Sequence, residues 1–464
     1  MTVTSKLPGP KTPALVQWAQ WINDPINFLE NAAQRYDDIF ITRLGWNMTP
    51  QVFVSNPKAL QKIFTDNSSF QAPGSANQIF RPFLGDLSIT RTLDLAHYWR
   101  KRKLLMPSFH GERVEAHGQL ISNITEQAMS HVKLGKPFSA LQIMQHIAQE
   151  LILKGVLGIR EGKRLEKLRQ LLIDWLKVLS NPVGSTLLYI PFLQRDLGSW
   201  NPWGRLCQLN QEINQLLEAE IQERRQHYDP SGSDVLTLLV QARDEAGQPV
   251  PDAELRDDML TLLAAGQEST ASAMAIALHW IHRAPEVREK LLEDLESLNG
   301  SQNSSAISRL PYLNAVCQET LRMYPVAAWA FPRVVKKSVE LKGYKLDPGI
   351  EVLPVIYLTH RNENLYPEPD QFKPERFLKK QFSPYEYLPF GGGSHICIGG
   401  ALAMLEMKVV LATIISRYEL ELTSNQPLQV HVRRITLDPD GGVEMVATGQ
   451  RQNQKSSFFA GAKA

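Results

Sequence analysis

The residues best suited to chemistry lie in the run FGGGSHICIG at 390–399, where Cys397 sits in a glycine-rich loop directly before a helical pattern. A helix N-terminus offers unpaired backbone N–H groups and the positive end of the helix dipole, and both stabilise a thiolate. Glycines at 391, 392, 393, 399 and 400 let the chain approach a flat ligand closely. The plain alternative is a buried cysteine at a tight turn, acting as a small hydrophobe. Glu319 and Arg322 form an E-x-x-R pair and share one helix face. Alone such a pair is most often a solvated salt bridge, but Arg376, in the downstream run PERF, is a second cation for the Glu319 carboxylate. A third motif, AGQEST at 265–270, sets Gly266, an acid (Glu268) and two hydroxyls (Ser269, Thr270) inside an apolar helix. Polar groups are costly there unless satisfied or functional. Hydroxyls bonded back to an earlier carbonyl loosen a helix and leave a groove.

These motifs need elements to position them. The longest helical pattern spans 251–284, and its middle, 260–277, is apolar on nearly all sides, as expected of a central buried helix. Further helices are predicted over 23–36, over 310–324 before Pro325, and over 400–418. From 57 to 266 the pattern is mostly helical, broken by Pro, Gly, Ser and Asn clusters at 72–75, 180–185, 198–204 and 229–233. Strands are expected as a pair within 38–54, and at 339–346 and 351–359. The long loop-rich stretch 362–393 is aromatic enough to be ordered and functional. A β-rich end follows, then a small polar tail, 451–464, expected to be disordered. With no repeat and no linker, the expected architecture is mostly α with a small β portion, one domain over 1–450.

Composition narrows the functional classes. The 464 residues are 43% hydrophobic and 21% charged, an ordinary globular balance. Fifty Lys and Arg against 48 Asp and Glu leave a net charge of +2, which argues against nucleic acid or an acidic membrane surface as main partner. The basic run WRKRK at 99–103 is the local exception. Three cysteines, at 207, 317 and 397, form no disulfide framework and fit a reducing, cytoplasmic setting. No signal peptide is visible, and no apolar run reaches the roughly 18 residues of a transmembrane anchor. Membrane contact is expected at most near Trp18 and Trp21. No G-x-G-x-x-G opens a helix after a strand, so no fused nicotinamide or flavin reductase is expected.

In their order and spacing, AGQEST, ETLR, PERF and FGGGSHICIG closely resemble the motifs of the cytochrome P-450 monooxygenases. The resemblance covers nearly the whole chain and is nearest in character to soluble bacterial, particularly cyanobacterial, members. It implies the cytochrome P-450 fold, with haem between the long central helix and the helix following the cysteine loop. Cys397 is then the axial thiolate ligand of the iron of haem b. Glu268 and Ser269 become the acid–alcohol pair that delivers protons to dioxygen, and Gly266 the space for it. Glu319, Arg322 and Arg376 become a buried structural triad, while Phe390 and Gly391 belong to the loop around the sulfur. Arg102, Arg333, His395 and Tyr98 are the implied partners of the haem propionates. The chain departs from the family pattern at three places. Ser269 stands where threonine is usual, with Thr270 next, so either hydroxyl is open to the oxygen role. His395 stands where arginine is frequent, and Tyr98 stands where Trp or His commonly precedes Arg102.

Oxidation of unactivated C–H bonds requires an apolar pocket with few polar anchors. Candidate lining comes from Phe80, Phe83, Leu84, Leu87 and Ile89, from Leu262 and Ala265, and from Val326, Ala327, Ala328 and Trp329, each equally readable as core. Together they suggest a small hydrophobic, lipid-like substrate: fatty acid, terpenoid, steroid or polyketide, hydroxylated or epoxidised. Arg81 is a candidate anchor for a carboxylate. Electrons are expected from a ferredoxin or flavodoxin with its NAD(P)H reductase, docking on the basic cluster. A peroxygenase or isomerase on the same fold, or a non-catalytic haem sensor, are the alternatives. The acid–alcohol pair argues for the monooxygenase.

Overall fold

The computed structural model describes residues 7–45, 48–72, 77, 81–111, 117–159, 161–180, 194–227, 229, 232–298, 303–433 and 436–451. Phe80 and the tail from 452 onward therefore lie outside the described residues.

Helices dominate, and a five-stranded sheet lies to one side of them. Its order is Ile39–Leu44, Thr49–Val54, Glu351–Pro354, Arg333–Val335, Phe70–Gln71. The first two strands form the antiparallel pair expected from the sequence. Thr49–Val54 then pairs in parallel with Glu351–Pro354, Val52 opposite Val352, and joins segments distant in the chain. The strand expected over 351–359 stops at Pro354, which has no N–H for a ladder. The chain turns there into the helix Ile356–His360. Arg333 lies in the fourth strand, so the sheet carries one of the site candidates.

The helix Ala14–Asn23 has no counterpart in the sequence expectations. Its N-cap Pro13 makes no capping hydrogen bond and neither end carries charge, so the usual boundary signals are missing. Packing holds it instead: Trp21 meets Phe28, Phe53 and Trp329 at ring-centroid distances of 5.8, 5.5 and 4.7 Å.

The central helix is Asp252–Arg283, 32 residues long. Asp252 and Glu254 in its first turn and His282 and Arg283 in its last complement the helix dipole. Its second half is sealed, and every residue from 271 to 278 is buried. Small side chains there let the helices Ala140–Leu151 and Gly400–Arg417 pack closely upon it. The stretch 264–269 differs, for Ala265 is exposed and most of its neighbours are only half-buried. A recess therefore opens midway along an otherwise enclosed helix. Beside it, Ala140–Leu151 runs on into a π-helical turn, Ile152–Val156, a distortion frequent near functional sites.

Candidate functional site

Cys397 ends a loop whose geometry glycine makes possible. Gly391 and Gly393 have φ of 73° and 67°, a region side chains rarely adopt. A Cβ on Gly393 would also lie 2.1 Å from the carbonyl oxygen of Phe64. The loop closes when the Cys397 N–H donates to the carbonyl of Phe390 at 2.9 Å, and the Phe390 ring packs over Gly400. The helix Gly400–Arg417 follows immediately. Cys397 is exposed as a residue, yet burial pushes its thiol up. The N–H groups of Gly399 and Gly400 and the charge of Arg102 act in the opposite sense and favour the thiolate.

On the central helix, the Ser269 hydroxyl donates to the carbonyl of Ala265 at 2.6 Å, and that of Thr270 to the carbonyl of Gly266 at 3.0 Å. Two successive carbonyls are thus drawn to side chains, the loosening expected from the motif. The two hydroxyls are not equivalent: Ser269 and Glu268 are half-buried beside exposed Ala265, whereas Thr270 is buried. A Cβ on Gly266 would come within 2.4 Å of Cδ1 of Ile152, so its missing side chain leaves room for the π-helical turn. Ala265, beside it, is exposed.

Arg102, Arg333, His395 and Tyr98 come together from three segments of the chain. Arg102 donates to the Tyr98 hydroxyl at 3.1 Å, which donates to the carbonyl of Ser394 at 3.0 Å. The His395 ring stacks on Tyr98 with centroids 4.1 Å apart. Arg333 donates to the carbonyls of Phe331 and Pro332. Both arginines are buried, and no ion pair joins either to a carboxylate among the described residues. Nε2 of His395 is likewise buried without a partner. Burial, then the Arg333 and Arg102 charges, depress the imidazole to about 3, and burial lowers Arg333 to about 10. Buried cations without counter-charge are costly. Beside an open sulfur and glycines that admit a flat molecule, they fit the carboxylates of a haem.

The E-x-x-R residues are held quite differently. Glu319 accepts from Arg322 at 2.7 and 3.0 Å, from Arg376 at 3.0 Å, and from the Lys373 N–H at 2.9 Å. Arg322, fully buried, also donates to the carbonyls of His360 and Pro369 at 2.9 and 2.7 Å. Glu319, Arg322 and the half-buried Arg376 are thus joined, and they tie the helix Pro311–Met323 to the loop leading towards Cys397.

The apolar candidates divide. Leu262, Val326 and Ala327 are half-buried and Ala265 is exposed, as lining residues should be before a ligand covers them. Phe83, Leu84 and Ile89 are buried in the main core, Phe83 edge-on to Trp175 at 6.1 Å. Ala328 and Trp329 belong to the separate cluster around Trp21, so for them core packing prevails. Leu87 is exposed, while its backbone is clamped by Asp257 and Lys101. Arg81 is exposed and paired with Asp86 at 2.9 Å, not turned inward as an anchor. The basic run is also consumed locally. Arg100 pairs with Asp244 and Glu254 at 3.2 and 3.3 Å, Lys101 with Asp258 at 3.0 Å, and Lys103 with Glu245 at 2.6 Å. Three of the four charges of this cluster are matched, Arg102 being the exception, which leaves little of the free basic patch expected for docking. Sequence reading missed Glu406, a buried glutamate on Gly400–Arg417, and Asp438, whose Oδ1 accepts from Ser272 at 2.6 Å. An acid inside an apolar helical pattern was the available signal for the first.

Comparison with known proteins gives a consistent result. The family description "Cytochrome P450" matches residues 7–442. Cytochrome P450 135B1 of Mycobacterium tuberculosis is 32% identical over 451 residues, covering 97% of this chain and 93% of that protein. Cytochrome P450 138 of the same organism is 29% identical over 444 residues, covering 94% and 95%. Among solved structures, cyanobacterial CYP120A1 bound to retinoic acid superposes with a TM-score of 0.83 at 24% identity, covering 96% of this chain and 100% of that one. A cytochrome P450DA haem domain gives the same TM-score at 20% identity, covering 96% and 98%.

Proposed function

The chain belongs to the cytochrome P450 family, and from that premise we propose that Cys397 is the axial thiolate of its haem and that the recess above it oxidises a lipid-like hydrophobic molecule. As a member of this family it is a haem monooxygenase. Thiolate-ligated haem supplies the electron-rich iron that activates dioxygen for insertion of one atom into substrate. The observation that carries the assignment is the pairing of an exposed Cys397 at a helix start with two buried arginines that meet no carboxylate among the described residues.

Within this reading each residue has a defined task. The Gly399 and Gly400 amides donate to the Cys397 sulfur and hold its negative charge. Arg102 and Arg333 bind the propionates, His395 completes their hydrogen bonding, and Tyr98 orients Arg102. Ser269, open to the recess and bonded to the Ala265 carbonyl, is the alcohol of the proton-delivery pair, with Glu268 as its acid. Thr270, buried and bonded to the Gly266 carbonyl, serves the helix itself. The triad of Glu319, Arg322 and Arg376 braces the approach to the cysteine loop.

The apolar character of Leu262, Ala265, Val326 and Ala327 supports a hydrophobic substrate, and the outward position of Arg81 favours one that needs no anchored carboxylate. The retinoic acid of the cyanobacterial structure is a lipid of the general kind, though at 24% identity that likeness carries only the fold. Electrons come from a separate ferredoxin or flavodoxin system. The ion pairs of Arg100, Lys101 and Lys103 favour docking that relies less on a basic patch.

The test is a titration of the purified ferric protein with fatty acids, terpenes and steroids, read at the haem Soret band. A saturable low- to high-spin shift with long-chain or polycyclic lipids is expected, and it sorts the substrate class. No shift with any lipid, in a protein that carries haem, overturns the substrate reading. Normal Soret and carbon monoxide spectra in Cys397→Ser would overturn the ligand assignment.

A further inference from the structure

The segment 87–89 is fastened to the central helix residue by residue. The Leu87 N–H donates to Oδ2 of Asp257 at 2.9 Å, the Ile89 N–H donates to Oδ1 of Asp258 at 2.9 Å, and the Ser88 and Thr261 hydroxyls lie 2.7 Å apart. Lys101, from the helix Leu95–Leu105, donates to the Leu87 carbonyl and pairs with Asp258 at 3.0 Å. Ser88, Lys101, Asp257, Asp258 and Thr261 are all buried. Gly85, with φ of 81°, lets the chain press against this cluster, for a Cβ there would lie 2.2 Å from Oδ2 of Asp257. Asp257 is fixed in turn by Arg256 at 2.8 Å, and Arg256 by Glu218 at 2.7 Å. Connecting segments ordinarily run over the surface and leave their backbone groups to water. Here charge-assisted bonds to buried carboxylates take that place.

The place of the fastening gives it a consequence. Thr261 and Ala265 are four residues apart and share a helix face. Ala265 is exposed where the recess opens, and Leu262, next to Thr261, is half-buried. The segment 87–89 thus lies one helical turn from the recess, at its rim, with the Leu87 side chain exposed. We propose that Asp257, Asp258, Thr261 and Lys101 form a latch that holds 87–89 as a fixed edge of the recess, and so limits the size and the rate of entry of molecules that reach the haem. They are positioning residues for selectivity and act through Leu87. The latch itself stands on the hydrogen bonds; its effect on entry rests on the haem reading above.

Backbone hydrogen exchange of the full chain, with and without haem, tests the latch by mass spectrometry. Wild type should protect 85–91 well beyond an exposed loop. Combining Lys101→Met with Asp258→Leu removes both charges of the buried pair together and leaves no unpaired ion to unfold the chain. That variant should exchange 85–91 at least about tenfold faster, while the sealed turns 271–278 keep their protection. Thr261→Val, a milder cut, should give a smaller increase over the same residues. Exchange of 85–91 in wild type at open-loop rates overturns the latch, whether or not any variant folds. Entry is read in haem-loaded protein by the binding rates of imidazole and phenylimidazole, which ligate ferric iron whatever the natural substrate. The released variant should bind phenylimidazole roughly three- to tenfold faster and imidazole, small enough to pass the latch, less than about twofold faster. Equal phenylimidazole rates in wild type and a variant with a released segment overturn the role in entry and leave the haem reading standing. A failure of the haem reading shows differently, as a chain that binds neither probe, and it takes the role in entry with it.

Discussion

Buried arginines occur in two regions of this molecule under opposite conditions. Around Glu319, Arg322 and Arg376 meet a carboxylate and a ring of backbone carbonyls, so the region is electrostatically complete. Around Tyr98, the buried Arg102 and Arg333 meet a phenol and carbonyls but, among the described residues, no carboxylate, and a histidine nitrogen beside them goes unpaired. Desolvating a cation costs several kcal/mol, roughly recovered when an anion is placed against it. The first region spends its arginines on holding the chain together. The second carries a cost that an anionic ligand would offset, which is what the proposed propionate site requires.

Breaking the complete region should have the largest effect. Arg322→Met removes the fully buried cation from Glu319 and should cost about 3–5 kcal/mol in urea unfolding. Loss of haem content should follow only as a consequence of the lost fold. An Arg322 variant with wild-type stability and selectively weakened haem would erase the distinction between the two regions. Arg333→Met should behave in reverse. Because burial lowers the folded-state value of Arg333 to about 10, its charge at neutral pH opposes folding, and the apoprotein variant should be at least as stable as wild type. Its haem should nevertheless be released roughly 10- to 100-fold more readily, which a transfer assay to an apo-globin measures. Unchanged haem retention would remove Arg333 from the site. The smallest effect belongs to Arg81, exposed and ion-paired with Asp86. Arg81→Ala should alter fatty-acid affinity by less than about twofold in the spin-shift titration. A tenfold loss would return it to the role of carboxylate anchor.

How legible the molecule was in its sequence depended on the distance over which each feature is decided. The central helix, the helix after Cys397 and the pair of strands near residue 50 follow from periodicity and end signals within a few turns of chain. Ala14–Asn23 escaped because packing of Trp21, rather than capping or charge, sustains it. The strand ending at Pro354 was overextended because an apolar run does not reveal where its partner strand stops. In the site, the acid–alcohol run and the cysteine loop were readable as motifs, and the charge network of Glu319 was readable from spacing. The apolar candidates were not separable, since Phe83 and Leu262 are alike as residues and differ only in what lies against them.

What the sequence determined by itself was the chemistry: a cysteine at a glycine-rich helix start, hydroxyls and an acid in a buried helix, and enough cations for an acidic cofactor. Residue type and local spacing settle such features because they depend on atoms a few residues apart. Tertiary structure alone decided which charges remain available. The run at 99–103 reads as one basic cluster, yet Arg100, Lys101 and Lys103 are neutralised by acids more than a hundred positions away, while Arg102 is left to the site. It also decided that Gly266 packs against Ile152 and that Thr270 is buried while Ser269 is only half-buried. Burial and counter-charge are properties of the neighbours a residue acquires on folding, and those neighbours come from distant parts of the chain.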